Sequence, residues 1–343
     1  MVSFTSDNAS GAAPEILRAL TEASSGAAMP YGEDAITGRV AARLAKIFET
    51  EVAVFPVATG TAANSLALSV MVPPYGAVYC HEAAHVQVDE CGAPEFYTGG
   101  AKLVPLSGAH GKIDAQTLSA AIEGAGNVHA VQPAALSITQ ASEAGTVYTP
   151  AEIADLAEVA RKHDLGLHMD GARFANALVA GNHSPAELTW KAGVEALSFG
   201  ATKNGALGAE AVVLFKSALA ETFAYRRKRG GHLLSKMRFL SAQLDAYLRD
   251  DLWLRNARHA NAMAGRLGAG LAAITGATLC HPVEANEVFA RLPEPMIAGL
   301  LEQGFAFYRW GAEARREVRL VTSFDTDPKD VDAFLAAASG LAG

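Results

Sequence analysis

Cysteine is scarce in this 343-residue chain: Cys80, Cys91 and Cys280 are an odd number with no Cys-x-x-Cys spacing. That argues against a disulfide framework or a thiolate zinc site, and reads as reduced thiols in a cytoplasmic protein. The start, MVSFTSDNAS, lacks a basic region followed by a long apolar run, so no signal peptide is expected. Apolar runs of membrane-spanning length are missing too, since Ala62–Val72 stops at Pro73-Pro74. Positive charge is in deficit, with a formal net charge of −8, which disfavours nucleic acid and acidic membranes as partners. No Gly-x-Gly-x-x-Gly follows the first predicted strand, which argues against a plain dinucleotide-binding dehydrogenase.

What the chain does have is core material, 50% hydrophobic residues against 19% charged. Strand and helix patterns alternate through the first two-thirds, predicting an α/β fold with a mainly parallel sheet. Strands are expected over 51–57, 77–80, 102–106, 130–139, 165–170, 196–200 and 209–215. Thr149-Pro150-Ala151-Glu152 is a capping box, followed by Ile153, Leu156, Ala157 and Ala160 on one helical stripe. Ser184-Pro185-Ala186-Glu187 repeats that logic and predicts a second short helix. Beyond about residue 230, long helices over 234–248 and 253–271 precede strands at 287–292 and 317–322, the pattern of a smaller α+β unit. The expected division is an N-terminal segment 1–14 near the active site, a large domain 15–245 and a small C-terminal domain 246–343.

Several residues stand where chemistry is expected. Lys203 follows a short apolar strand and is flanked by Gly200, Ala201, Asn204 and Gly205, small residues that let a bulky planar group approach. On its own it reads as a surface lysine. Asp170 should end the strand of Leu165, Leu167 and Met169, at the sheet edge where open α/β folds bind ligands. A carboxylate there suits a protonated ring nitrogen, although a loop aspartate is the plainer reading. Thr59-Gly60-Thr61 is a glycine turn at a helix start, a seat for phosphate, and no lysine follows at Walker spacing. His85 lies four residues after His81; without a third ligand for a metal, it reads as an imidazole stacked on a ring or moving protons. Arg173 and Arg319 follow apolar residues and offer forks for a carboxylate. The basic run Tyr225–Arg229, with Lys236 and Arg238 beyond, reads as a charged helix face or as a phosphate contact reaching into a neighbouring subunit. No residues point to a metal.

In this order on one scaffold, these residues resemble the fold-type I pyridoxal-phosphate enzymes, and within them the low-specificity L-threonine aldolases of the β-eliminating lyase group. The resemblance runs nearly end to end: Ser6-Asp7-Asn8, Tyr31-Gly32-Glu33-Asp34, Thr59–Asn64, Ala84-His85, His168–Arg173, Thr202-Lys203 and Val318–Thr322. Asp89–Phe96 and Lys236–Leu240 look closest to the L-threonine and phenylserine aldolases.

The resemblance implies an aspartate-aminotransferase-like fold and pyridoxal 5'-phosphate held by Lys203 as a Schiff base. It implies cleavage of L-β-hydroxy-α-amino acids to glycine and an aldehyde. Asp170 would pair with the ring nitrogen, and His85 would stack on the ring and meet the substrate hydroxyl. Gly60, Thr61, Thr202 and Arg238 would serve the phosphate, with Arg173 also near the cofactor. Ser6, Arg173 and Arg319 would hold the substrate carboxylate. Tyr31 would enter from a neighbouring subunit of a homo-oligomer, a dimer of dimers whose active sites are shared. One departure stands out: many threonine aldolases carry Glu-Asn-Thr-His where this chain has Thr139-Gln140-Ala141-Ser142. The second histidine is absent, which leaves His85, or a water it holds, as the expected base for the β-hydroxyl. β-Elimination or transamination on the same scaffold is the main alternative, and a non-catalytic cofactor-binding module a remoter one.

Overall fold

The computed structural model describes residues 2–181 and 183–342. Thirteen strands occur among them. They are β1 (Val2–Ser3), β2 (Ala53–Val57), β3 (Gly76–His81), β4 (Lys102–Leu106), β5 (Gln132–Thr139), β6 (Gly166–Gly171), β7 (Ala196–Gly200), β8 (Glu210–Leu214), β9 (Thr278–Leu279), β10 (Glu287–Arg291), β11 (Phe305–Ala306), β12 (Tyr308–Trp310) and β13 (Glu317–Val321). Seven form one sheet in the order β2-β8-β7-β6-β5-β3-β4. Only β8 runs against the rest, pairing antiparallel with both β2 and β7. The fold is therefore the mainly parallel α/β architecture that the alternating pattern predicts. A second sheet, β12-β13-β10-β9, is antiparallel.

The capping box at Thr149 forms as its sequence dictates: Thr149 Oγ1 accepts from Glu152 N–H, Glu152 accepts in return, and the helix runs Pro150–Lys162. Its buried stripe is Ile153, Leu156, Ala157 and Ala160. The Ser184 signal misleads. Ser184 and Glu187 do exchange capping bonds of 2.8 and 3.2 Å. Yet only turns and a 3-10 turn, Trp190–Ala192, follow, because the left-handed Gly193 breaks the chain just before β7.

The Gly60–Met71 helix is buried from Ala62 to Ser69, which explains why its sequence is apolar on every side. It packs against β6, β7 and β8 and so begins at the sheet's ligand-binding edge. In the sheet centre, Thr139 of β5, Asp170 of β6 and Ser198 of β7 lie side by side in register. His168 braces the same three strands, with Nδ1 2.9 Å from Ser137 Oγ and Nε2 3.0 Å from Ser198 Oγ. Burial lowers its pKa to about 4, so it is a neutral structural imidazole.

Two large apolar clusters share the Leu252–Ala272 helix. Leu252, Trp253 and Ala257 join the cluster under the large sheet, whereas Met263, Leu267 and Leu271 join the one beneath the antiparallel sheet. The N-terminal segment belongs to the second. β1 pairs with β11, and Phe4 is fully buried with its ring 5.3 Å from that of Phe334. From there the chain returns to the large sheet at Asp7. No helix among the described residues is long and apolar enough to cross a membrane.

Candidate active site

A cavity of about 250 Å³ opens at the carboxyl edge of the large sheet. Its lining includes Gly60, Thr61, His85, Asp170, Arg173, Thr202 and Lys203, seven residues singled out in the sequence. Elements far apart in the chain meet here because parallel strands present their ends, and the loops after them, on one edge.

Lys203 sits in the 3-10 turn Thr202–Asn204 directly after β7. Its approach to Asp170 needs glycine at 200: a Cβ there would lie 2.5 Å from Ala172 O, in the turn after β6. Asn204 locks the turn from below by donating to Tyr247 Oη (2.7 Å) and Trp253 O (2.9 Å). Thr202 Oγ1 accepts from Ala209 N–H at 3.1 Å, bracing the loop towards β8. Among the described residues, Lys203 Nζ makes no hydrogen bond and no ion pair.

Asp170 is 4% exposed, yet it too has no cationic partner among the described residues. Its Oδ1 accepts from Ala172 N–H (2.9 Å) and its Oδ2 from Asn64 Nδ2 (2.8 Å). The same Asn64 amide donates to Glu90 Oε1 at 2.8 Å, and Glu90 Oε1 lies 2.8 Å from His85 Nδ1. The site thus contains a chain, Asp170–Asn64–Glu90–His85. Glu90 raises the His85 pKa by this hydrogen bond, against the opposing effect of burial. Burial raises the pKa of Glu90 itself, against its bonds from His85 and Asn64. His81, by contrast, is spent locally: Ala83 N–H donates to its Nδ1 and its Nε2 meets Gly108 O.

At the helix start, Thr59 Oγ1 caps Ala62 N–H, and Thr59 O takes Ala63 N–H. The N–H groups of Gly60 and Thr61 keep no acceptor among the described residues, and nothing lies within 4 Å of where a Gly60 Cβ would stand. An open, anion-favouring helix end therefore faces the cavity. A cofactor bearing a phosphate, an aldehyde and a basic ring nitrogen fits these residues. The helix end, the unpaired Lys203 and the cation-free carboxylate of Asp170 answer those three groups in turn.

The carboxylate-binding residues are arranged differently from the simple forks expected. Arg173 is buried and already committed: Nε and Nη2 donate to Asp7 at 2.7 and 3.1 Å, and Nη1 lies 3.1 Å from Glu287. Arg319 lies 3.3 Å from Glu287 with its guanidinium over the Trp310 ring, outside the cavity lining. Ser6 lies outside it too, its Oγ accepting from Asn8 N–H, and Asn8 lines the cavity in its place.

Arg238 and Tyr31 are not brought to the cavity within one chain. Arg238 donates to Gly26 O, and Tyr31 is 46% exposed beneath Lys228. The basic run splits as well, since Arg227 turns inward over Phe55 while Arg226 donates to Tyr97 O.

Sequence reasoning passed over Asn8, Glu143 and Glu210, all in the lining, and the buried Glu90 behind it. Asn8, Asn64 and Glu90 carried a signal, each inside a motif already noted, whereas Glu143 and Glu210 did not. Glu210 accepts from Ala201 N–H, and burial pushes its pKa up to about 7, against bonds from Thr202 and Ala201.

Residues 3–294 match the family model described as beta-eliminating lyase. A low specificity L-threonine aldolase of Pseudomonas aeruginosa is 45% identical over 324 residues, 94% of this chain and 93% of the relative. A solved threonine aldolase of Leishmania major superposes with a TM-score of 0.93 at 29% identity, over all of both chains. An aspartate aminotransferase of Rhodobacter sphaeroides shares the fold alone, at TM-score 0.71 and 18% identity, over 99% of this chain and 92% of that one.

Proposed function

The chain belongs to the beta-eliminating lyase family as a carbon–carbon lyase of the L-threonine aldolase type, and from that premise we propose that it cleaves L-threonine and L-allo-threonine to glycine and acetaldehyde. L-Phenylserine is proposed as a further substrate, releasing benzaldehyde. The observation that carries this reading is the pairing, in one cavity, of a lysine and a buried carboxylate that both lack ionic partners among the described residues.

Pyridoxal phosphate is the proposed cofactor; when bound, it supplies an aldehyde for amines and a protonated ring that draws electron density from Cα. Lys203 is the amine that holds its aldehyde carbon, and Gly60 and Thr61 hold its phosphate through N–H groups and the Thr61 hydroxyl. Asp170 keeps the ring nitrogen protonated, since a buried carboxylate without a cation favours a neighbouring positive charge. Asn64 and the β6 turn fix that carboxylate in place. His85, oriented through Glu90, would stack against the ring.

For the substrate carboxylate, Arg173 is the positioning residue. Asp7 and Glu287 hold its fork rigid, so binding costs little side-chain entropy. Arg319, which shares Glu287 with Arg173, and Ser6 are proposed to assist it from outside the cavity lining, and Tyr31 and Arg238 to serve from a neighbouring copy of the chain.

The deciding experiment adds glycine, threonine and phenylserine separately to cofactor-loaded protein, recording absorbance and identifying products. Glycine with an aldehyde is expected. A 2-keto acid with ammonia would replace this reading by β-elimination, and no spectral response to any of the three would end it.

A further inference from the structure

Cleaving a β-hydroxy amino acid requires a group that removes the hydroxyl proton, and the cavity narrows the choice. Ser142, at the position where many threonine aldolases have histidine, is fully buried and spent in its own turn. Its hydroxyl donates to His110 O at 3.1 Å and lies 2.7 Å from Thr146 Oγ1. Asp170 is held by Ala172 and Asn64, and Glu210 by both Ala201 N–H and the Thr202 side chain. His85 is a poor acceptor, because Glu90 occupies Nδ1 and favours the protonated imidazole.

Glu143 remains. It lines the cavity from the tip of a turn closed by Ser142 N–H to Thr146 O (2.8 Å) and Gly145 N–H to Ser142 O (2.9 Å). Gly145 has φ +73°, and its Cα faces Glu287, where a Cβ would come within 3.0 Å, so the turn is pinned from behind. One carboxylate oxygen, Oε1, accepts from His85 N–H at 3.3 Å. The other, Oε2, has no hydrogen-bond partner among the described residues. Lys203, Asp170, Arg173, Glu287 and His85 all face this carboxylate.

We propose that Glu143 is the catalytic base that accepts the β-hydroxyl proton of the substrate. This rests on the aldol-cleavage reading above. The O–H proton passes to Glu143 Oε2 as the oxygen's electron pair forms the C=O bond of the departing aldehyde. The Cα–Cβ bond breaks, and its pair stays with Cα until a proton adds there. Glu143 then returns its proton to water. Burial raises the carboxyl's proton affinity above the ordinary glutamate range, against the pull of Lys203 and Arg173, which suits a base working near neutrality.

The test compares full-length wild type, Glu143→Gln and Glu143→Ala, each supplied with pyridoxal phosphate. Cofactor uptake is followed by absorbance titration. Exchange of the glycine α-proton for deuterium reports chemistry at Cα that needs no hydroxyl. Both are expected to stay within about threefold of wild type, while kcat for threonine falls about 100-fold or more with KM little changed. Added formate is expected to restore part of the Glu143→Ala rate by replacing the carboxylate.

Threonine cleavage by Glu143→Gln within threefold of wild type would overturn the assignment. So would loss of cofactor uptake or glycine exchange in both variants, which would make Glu143 structural. A wild-type protein that forms no glycine from threonine defeats the underlying functional reading instead.

Discussion

Asp7→Asn isolates the charge of one carboxylate that ties the N-terminal segment to the large sheet. Asp7 is 3% exposed and accepts from Arg173 twice, at 2.7 and 3.1 Å, and from Asn286 Nδ2 at 3.0 Å. Removing one partner of a buried pair costs about 3–5 kcal/mol, because the remaining charge is left uncompensated. Glu287 still faces Arg173 at 3.1 Å, so the lower end, about 3 kcal/mol, is expected here. With unfolding entropy near 2.1 cal/mol/K per residue, a chain of 343 residues should lose about 4 °C in Tm. Differential scanning calorimetry at pH 7 measures it.

The pH dependence gives an independent check. Burial raises the Asp7 pKa, but the Arg173 guanidinium outweighs it, and the net value lies below the ordinary one. A depressed folded-state pKa means stability that is fully present above the unfolded value, near 3.9, and lost as pH falls through the folded one. The gap between wild type and variant should therefore hold from pH 8 to pH 5 and close only in stronger acid. A Tm change below 1 °C at pH 7, or a gap that widens on acidification, would refute the ion-pair account.

The other expectations concern the cavity. Lys203→Ala should lose the absorbance band of covalently held cofactor, and a native band in that variant would remove Lys203 from its role. Asp170→Ala should retain cofactor yet turn over threonine about 100-fold more slowly or worse, since an unprotonated ring draws electrons poorly; near-normal turnover with cofactor bound would contradict it. In Glu90→Gln, the His85 titration followed by NMR in the cofactor-free chain should move to lower pH, because the Glu90 bond is the largest influence raising it. An unchanged or higher midpoint would show that the buried chain from Asp170 does not govern His85.

The fold was legible where local chemistry and tertiary packing agree. Thr149 and Glu152 satisfy each other's backbone groups whatever surrounds them, so that helix start could be read directly. Ser184 and Glu187 make the same bonds, yet only eight residues separate Glu187 from Ala196, where β7 begins, and the packed sheet leaves no room for a helix. Lys203, Asp170 and Gly60 were legible for a related reason: each sits at the end of a strand or the start of a helix, where topology alone delivers it to the sheet edge.

Glu143 and Glu210 could not be read that way, because an acidic residue in a turn or at a strand start looks the same in sequence whether water or protein surrounds it. Their significance comes from burial beside one another. Six carboxylates, Asp7, Glu90, Glu143, Asp170, Glu210 and Glu287, gather around three fixed cations, Arg173, Lys203 and Arg319. Burial first, and the charge of Asp170 after it, raises the proton affinity of Glu90, Glu143 and Glu210. Of those three, Glu90 is held by His85 and Asn64, and Glu210 by Ala201. Glu143 lines the cavity with Oε1 held only by the His85 backbone N–H and with Oε2 free of any hydrogen-bond partner among the described residues, which places it to exchange a proton with a substrate.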